Sequence, residues 1–217
     1  MGGPSFATMS EIGVIEWMQG ASPMLDAPML FFTYIATHAA LWLVLAFLMT
    51  CSVRRRKVGI SIMVAVAASY LVVDLLMKPL IDRQRPFELF DLQLIVDPPT
   101  TSSFPSGHTA SSFAAAASIF HYSRKAGIPA LVMASAVGIS RVYLCVHWPS
   151  DVIAGAVVGI VVAYVAIWFM NRWIPYYRSL PDPGSAMTQV RTDGRRNRLS
   201  FRWIRLFGSQ ASSKLLA

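Results

Sequence analysis

The sequence predicts an all-α fold: a polytopic membrane helical bundle of five firm spans, with an N-terminal helix that is either interfacial or a short sixth span. Three observations predict it. Apolar runs of membrane length recur along the chain, and about 18 or more apolar residues suffice to cross a bilayer. The chain is 55% hydrophobic with a mean hydropathy of +0.51. A soluble domain is only about 45–50% apolar even with glycine counted. Lys and Arg are gathered into short clusters between the apolar runs rather than spread along the chain.

The elements follow in order. Residues 1–26 form an N-terminal segment around EIGVIEWMQGA, where Ile12, Ile15 and Trp17 sit among Glu11, Glu16 and Gln19. It is too short and too polar to span, so an interfacial helix is expected. It has neither the basic start nor the clean apolar centre of a cleavable signal peptide. The membrane domain is expected over 27–171. Its first span, about 27–50, has no charge after Asp26 and is followed by Arg54, Arg55, Arg56 and Lys57. The second, about 58–77, contains one acid, Asp74. Residues 78–105 carry Pro79, Pro86, Pro98 and Pro99 before Pro105 and read as a loop with a short helix near 87–92. The third span, about 106–122, is rich in Ala and Ser, which suits close helix packing. Arg124 and Lys125 follow it, and the fourth span covers about 127–146. A turn, His147-Trp148-Pro149, leads to the fifth, about 150–170. Pro149 fits a helix start, where its missing N–H costs nothing. Residues 172–217 are expected to form a flexible, basic cytoplasmic tail with Arg191, Arg195, Arg196, Arg198, Arg202 and Arg205.

Charge then sets orientation, because Lys and Arg favour the cytoplasmic side. Loop 54–57, loop 123–126 and the tail fall on one side and hold 15 of the 19 Lys and Arg residues. The other four, Lys78, Arg83, Arg85 and Arg141, fall at the opposite, outer face. The net charge of +8 is therefore a topology signal and not a nucleic-acid footprint. Cys51 and Cys145 fall near opposite faces, so no disulfide is expected. Oligomeric state and source organism leave no mark in the sequence.

Three segments converge at the outer face. They are Lys78 to Pro86 after the second span, Pro105-Ser106-Gly107-His108 opening the third, and Ser140-Arg141 near the end of the fourth, with His147 and Asp151 entering the fifth. Lys78 offers a point charge, and Arg85 and Arg141 offer planar forks suited to phosphate oxygens. Ser106 and Gly107 sit at a helix start, where free N–H groups favour an anion. Gly107 has no side chain to keep an oxyanion away. His147 and Asp151 are four residues apart; a carboxylate on one ring nitrogen fixes the tautomer and frees the other as a nucleophile. His108 is then the general acid for the leaving oxygen. This set is complete for phosphoryl transfer without a metal or cofactor. Taken singly, the same residues have plainer readings. Lys78 and Arg85 could be interfacial anchors, and Ser106 an N-cap. Asp74, one turn before Lys78, reads as its pairing partner. His38 and His121 read as structural. Two His and a carboxylate could ligate a metal, but three nearby cations oppose it.

These residues closely resemble the type 2 phosphatidic acid phosphatase (PAP2) superfamily, whose signature is K-x6-RP, PSGH and SR-x5-H-x3-D. The chain reads KPLIDRQRP at 78–86, PSGH at 105–108 and SRVYLCVHWPSD at 140–151, with no departure at a signature position. The resemblance implies a membrane body, usually of six spans. It implies His147 as the nucleophile that forms a phosphohistidine, Asp151 as its orienter and His108 as the acid. It also implies Lys78, Arg85, Ser106, Gly107 and Arg141 as the phosphate cradle. The implied partner is a lipid phosphate in the bilayer, with undecaprenyl pyrophosphate leading. Phosphatidylglycerophosphate, phosphatidate and the lipid A 1-phosphate group are the alternatives. A non-enzymatic lipid or anion transporter is the competing class, but transport sites usually lie near the midplane. The charges here lie at one face.

Overall fold

Local chemistry decides where each helix starts and stops. The computed structural model describes residues 6–20 and 23–183, and among them every regular element is helical. Helix α1, Phe6–Gln19, is followed by α2, Asp26–Ile35, and α3, Ala40–Thr50. Next come α4, Arg56–Tyr70, a π-helical segment, Leu71–Met77, and α5, Lys78–Ile81. Two short pieces and three long helices complete the order: α6, Pro86–Leu89; α7, Gly107–Tyr122; α8, Arg124–Tyr143; α9, Pro149–Trp173; and α10, Pro175–Ser179. Proline opens α6, α9 and α10, where the ring's fixed φ suits the first turn and no hydrogen bond is lost.

Three helical stretches are long and apolar enough to cross a membrane: Arg56–Leu89, Arg124–Tyr143 and Pro149–Trp173. The expected first span is not one straight helix. It is bent by 51° between α2 and α3, and the pair makes a fourth crossing if counted as one. The bend has a local cause. His38 and Ala39 both adopt the left-handed conformation, with φ of 51° and 55°, which neither residue adopts cheaply. Composition does not announce this break, because 27–50 contains no glycine and its one proline is Pro28.

Helix α7, at 16 residues, is shorter than a usual span, yet it is the centre of the bundle, packing on α4, α8 and α9. Its Ala110, Ala114, Ala115, Ala116 and Ala117 are buried. Small residues let the backbones approach closely. A β-carbon on Gly159 would lie 2.2 Å from the Ala110 carbonyl oxygen, and one on Gly155 would lie 2.6 Å from that of Ser106. Only glycine permits that α7–α9 crossing. Trp42 of α3 donates to Ser112 of α7 at 2.9 Å. The outward faces stay apolar and exposed, as at Leu75, Val157, Val161 and Trp168, which suits lipid contact.

The two ends of the bundle differ. At one end, α1 packs by Ile12 and Ile15 against Val142, Cys145 and Trp148. At the other, Tyr177 of α10 is buried against Ile167 and Met170. Its hydroxyl bonds Ser61 at 2.6 Å, and Lys57 pairs with Asp182 at 2.7 Å. The packed body therefore runs past residue 171 and includes the first part of the expected tail. The tail's arginines from Arg191 onward lie outside the described residues. Cys51 is exposed and Cys145 buried, both as free thiols.

Candidate functional site

The loop ahead of α7 is the scaffold of the site. Residues 101–103 run beside residues 83–85. Ser103 N–H donates to the Arg83 carbonyl at 2.9 Å, and Arg83 N–H donates to Ser102 Oγ at 3.0 Å. That pairing places the loop's carbonyls against the functional side chains. Arg85, 2% exposed, donates from Nε to the Thr101 carbonyl at 2.8 Å and from Nη1 to the Val146 carbonyl at 2.6 Å. The same Nη1 lies 3.5 Å from His147 Nε2. Backbone carbonyls thus hold the guanidinium flat beside the histidine.

His147 sits between α8 and α9 and is itself buried. Its Nδ1 lies 2.8 Å from the Ser103 carbonyl oxygen. A carbonyl only accepts, so Nδ1 carries the proton and Nε2 presents its lone pair. Asp151 stands 3.7 Å from Nδ1, an ion-pair distance longer than a hydrogen bond. The direct orienting bond comes from the Ser103 backbone, with the Asp151 charge behind it. Burial, first, and the Arg85 and Arg141 charges push the His147 imidazole down to about 3, against the pull of Asp151. The ring is therefore neutral at ordinary pH.

Asp151 is fully buried and fully engaged. Oδ1 accepts from Arg83 Nη1 at 2.6 Å, and Oδ2 accepts from Trp148 N–H at 3.0 Å and from the Ser103 hydroxyl. Arg83 reaches further: Nη2 donates to Glu11 of α1 at 2.8 Å, and Nη1 donates to Ser150 Oγ at 2.7 Å. Glu11 in turn accepts from Ser150 N–H at 3.3 Å. The N-terminal helix is tied to the carboxylate through one arginine.

Arg141, 6% exposed, donates from Nη1 to Thr33 of α2, and its buried Nε has no hydrogen-bond partner among the described residues. A buried unsatisfied donor costs about 1–3 kcal/mol, and an anion would remove that cost. Lys78 pairs with Asp74 at 2.5 Å, the partnership expected from their spacing. Gly107 abuts that pair, since a β-carbon there would lie 3.2 Å from Asp74 Oδ2. Ser106 stands at the N-cap position, but its side chain makes no capping bond and its N–H goes to the Asp151 carbonyl at 3.0 Å. Among the first donors of α7, Gly107, His108 and Thr109 precede the first intrahelical bond, from Ala110 to Ser106. The free N–H groups expected at Ser106 and Gly107 thus begin one residue later. His108 lies within electrostatic reach of Lys78, Arg141, His147 and His38.

All eight expected residues therefore meet at one end of the bundle. His121 stands apart from them in sequence and in contact, edge-on to Tyr122 and Tyr164. Sequence reasoning missed Thr101, Ser103 and Thr33, which act through a carbonyl or hydroxyl, and it left Arg83 and Glu11 without roles. The run TTSS just before the PSGH motif was the available sign of a hydrogen-bonding loop. His38, expected to be structural, lines a cavity of about 530 Å³ with Asp74, Lys78, Gly107 and His108. The rest of that cavity is mainly apolar, with Leu43, Met63, Val66 and Ala67 on its wall.

Comparison with known proteins identifies the family. Residues 58–175, more than half of the chain, match the PAP2 superfamily. The bacitracin transport permease protein BcrC of Bacillus licheniformis is 33% identical over 157 residues, 68% of this chain and 77% of that protein. The undecaprenyl-diphosphatase BcrC of Bacillus subtilis is 27% identical over 166 residues, 75% of this chain and 83% of the relative. The crystal structure of the first transmembrane PAP2-type phosphatidylglycerolphosphate phosphatase from Bacillus subtilis superposes with a TM-score of 0.63 at 24% identity. That likeness covers 79% of this chain and 90% of the other and shows a shared fold. The chain belongs to the PAP2 superfamily and is a membrane protein of the phosphoric ester hydrolase class.

Proposed function

We propose that the protein removes a terminal phosphate from a lipid phosphate or pyrophosphate at the outer membrane face, and that undecaprenyl pyrophosphate is its substrate. The observation that carries the lipid part is the cavity. One end holds Lys78, Gly107 and His108, and the wall beyond is apolar. A phosphate head and a hydrocarbon chain would each find a matching surface there. The relative from Bacillus subtilis is named an undecaprenyl-diphosphatase, which favours a pyrophosphate over the monophosphate alternatives.

The chemistry follows from the site. Arg85 and Arg141 hold the terminal phosphate, with Lys78 and the first N–H groups of α7 around it. His147 Nε2 attacks phosphorus, and the bond to the leaving oxygen breaks with its electron pair. His108, protonated beside the negative charge of the bound phosphate, gives that oxygen its proton. A water then attacks the phosphohistidine with His108 as base, and phosphate leaves. Asp151 and the Ser103 carbonyl steady the positive charge that His147 gains in the first step.

In this reading α2 with α3, α4 with α5, α7, α8 and α9 make five crossings, and α1 lies on the outer surface. The 15 inner Lys and Arg residues support that orientation, with the C-terminus cytoplasmic and the site outside. The test is phosphate release by detergent-purified protein from undecaprenyl pyrophosphate, phosphatidylglycerophosphate and phosphatidate, with His147→Ala as control. Release from undecaprenyl pyrophosphate above the other two, lost in His147→Ala, is the expected result. Equal release by the variant would overturn the mechanism. Release only from another lipid would overturn the substrate.

A further inference from the structure

The break between α2 and α3 places one residue where the proposed reaction needs a group that the motif residues do not supply. His38 stands at that break with φ of 51°, followed by Ala39 at 55°. Two consecutive left-handed residues that are not glycine cost roughly 1–2 kcal/mol each. Such strain persists where the surrounding structure imposes it, and it is common at ligand sites. Here the backbone turn puts His38 in the wall of the cavity that also holds Asp74, Lys78, Gly107 and His108. His38 is exposed, on the same cavity wall as His108.

Consider what must lie in that place, on the proposed function above. The leaving oxygen sits beside His108, between the reacting phosphorus and the apolar wall. For a monophosphate lipid, that oxygen belongs to an alcohol, and nothing charged follows it. For a pyrophosphate, it belongs to a second phosphate, still joined to the lipid, which carries negative charge throughout the reaction and gains more as the P–O–P bond breaks. Neither Arg85 nor Arg141 lines the cavity; Arg85 lies against His147 and Arg141 donates to Thr33. The Lys78 charge is already countered by Asp74 at 2.5 Å. A further donor is needed on the cavity side of His108.

We propose that His38 is that donor: it hydrogen-bonds the lipid-linked phosphate and so makes the enzyme select pyrophosphate lipids over monophosphate lipids. Its imidazole donates to a phosphate oxygen in either the neutral or the charged form. A group that binds charge developing on the leaving phosphate lowers the barrier for that substrate class alone.

The experiment compares kcat/KM of full-length purified protein on a prenyl pyrophosphate and on the prenyl monophosphate of the same chain length. The variants are His38→Asn and His38→Gly. Both residues tolerate the left-handed backbone, so the bend is kept. Thermal melting in detergent checks the fold of each. The expected result is a ratio of pyrophosphate to monophosphate kcat/KM that falls at least ~10-fold in both variants, equal to ~1.4 kcal/mol of lost transition-state binding. An unchanged ratio in a folded variant overturns the role of His38. A wild-type enzyme that prefers the monophosphate overturns the selection of pyrophosphate while leaving the phosphatase reading intact. Release from neither lipid by the wild type removes the phosphatase reading itself, and this inference with it.

Discussion

Arg83 Nη1 lies 2.6 Å from Asp151 Oδ1, and this contact joins the first turn of α9 to the N-terminal helix, because the same guanidinium meets Glu11 at 2.8 Å. Asp151 is fully buried, whereas Arg83 keeps 27% of its side chain exposed. The arginine neutralises a carboxylate that would otherwise sit uncompensated beside His147.

Replacing Arg83 should therefore disturb His147 through Asp151 and leave the phosphate cradle in place. Arg83→Ala is expected to lower kcat by ~10-fold or more, about 1.4 kcal/mol of transition-state stabilisation, with a smaller effect on KM. Glu11→Gln, which keeps the shape of the side chain, should cost less. Steady-state kinetics on the preferred lipid separates the two parameters. A pure KM effect would place Arg83 on the substrate instead.

The pH profile should report the depressed His147. Its pKa is pushed down to about 3 by burial and by Arg85 and Arg141, so the free base persists well below the usual ~6.5. The acidic limb of kcat/KM set by the nucleophile is expected below pH 5. The linked stability has the same sign. The unfolded chain takes up a proton near ~6.5 that the folded chain refuses until about 3, so this group's contribution falls as pH drops between those values. Stability curves of wild type and His147→Asn should converge at low pH.

Chelation should not stop the enzyme. In the proposed mechanism the cations around the phosphate are Lys78, Arg85 and Arg141, which are covalent parts of the chain. Phosphate release in excess EDTA is expected at the untreated rate. Loss of activity, restored by a divalent ion, would contradict the reading.

The α7–α9 crossing predicts a stability effect away from the chemistry. A methyl group at Gly159 would meet the Ala110 carbonyl at 2.2 Å, and backbone cannot swing aside as a side chain can. Gly159→Ala should cost ~1–3 kcal/mol, the usual range for overpacking, and lower the melting temperature in detergent. Gly13, with nothing within 4 Å of an added β-carbon, is the control position.

Thiol labelling should read the orientation. Cys51 is exposed at the turn between α3 and α4, and Cys145 is buried near the site. A membrane-impermeant maleimide is expected to label Cys51 only after the membrane is opened, and to leave Cys145 unmodified. Labelling of Cys51 in sealed cells would invert the topology.

The parts of this protein that were readable in advance are those with a strong one-dimensional signal. Spans four and five are long apolar runs bounded by charge or proline, and both appear as α8 and α9. The meeting of the eight candidate residues at one end of the bundle was readable because each carries charge, an imidazole or a helix start within three separated motifs. The bend at His38 was not readable, because nothing in ATHAA marks a left-handed pair. The Ser103 carbonyl was not readable either, since any residue could present it. The continuation of the bundle into α10 depends on Tyr177 meeting Ser61, more than a hundred positions away, a pairing that no local pattern encodes.

Arg85 is held mainly by main-chain oxygens, those of Thr101, Ser102 and Val146. Main-chain atoms survive most substitutions, so the reactive geometry is insulated from changes in neighbouring side chains. The cavity wall, in contrast, includes the exposed side chains of Leu43, Met63 and Tyr70, which can change at less cost to packing than buried ones. A descendant could therefore acquire a different lipid tail by altering α3 and α4 alone, inheriting the phosphoryl chemistry untouched. On the proposed function, that division lets one reactive end serve a wide range of membrane lipids.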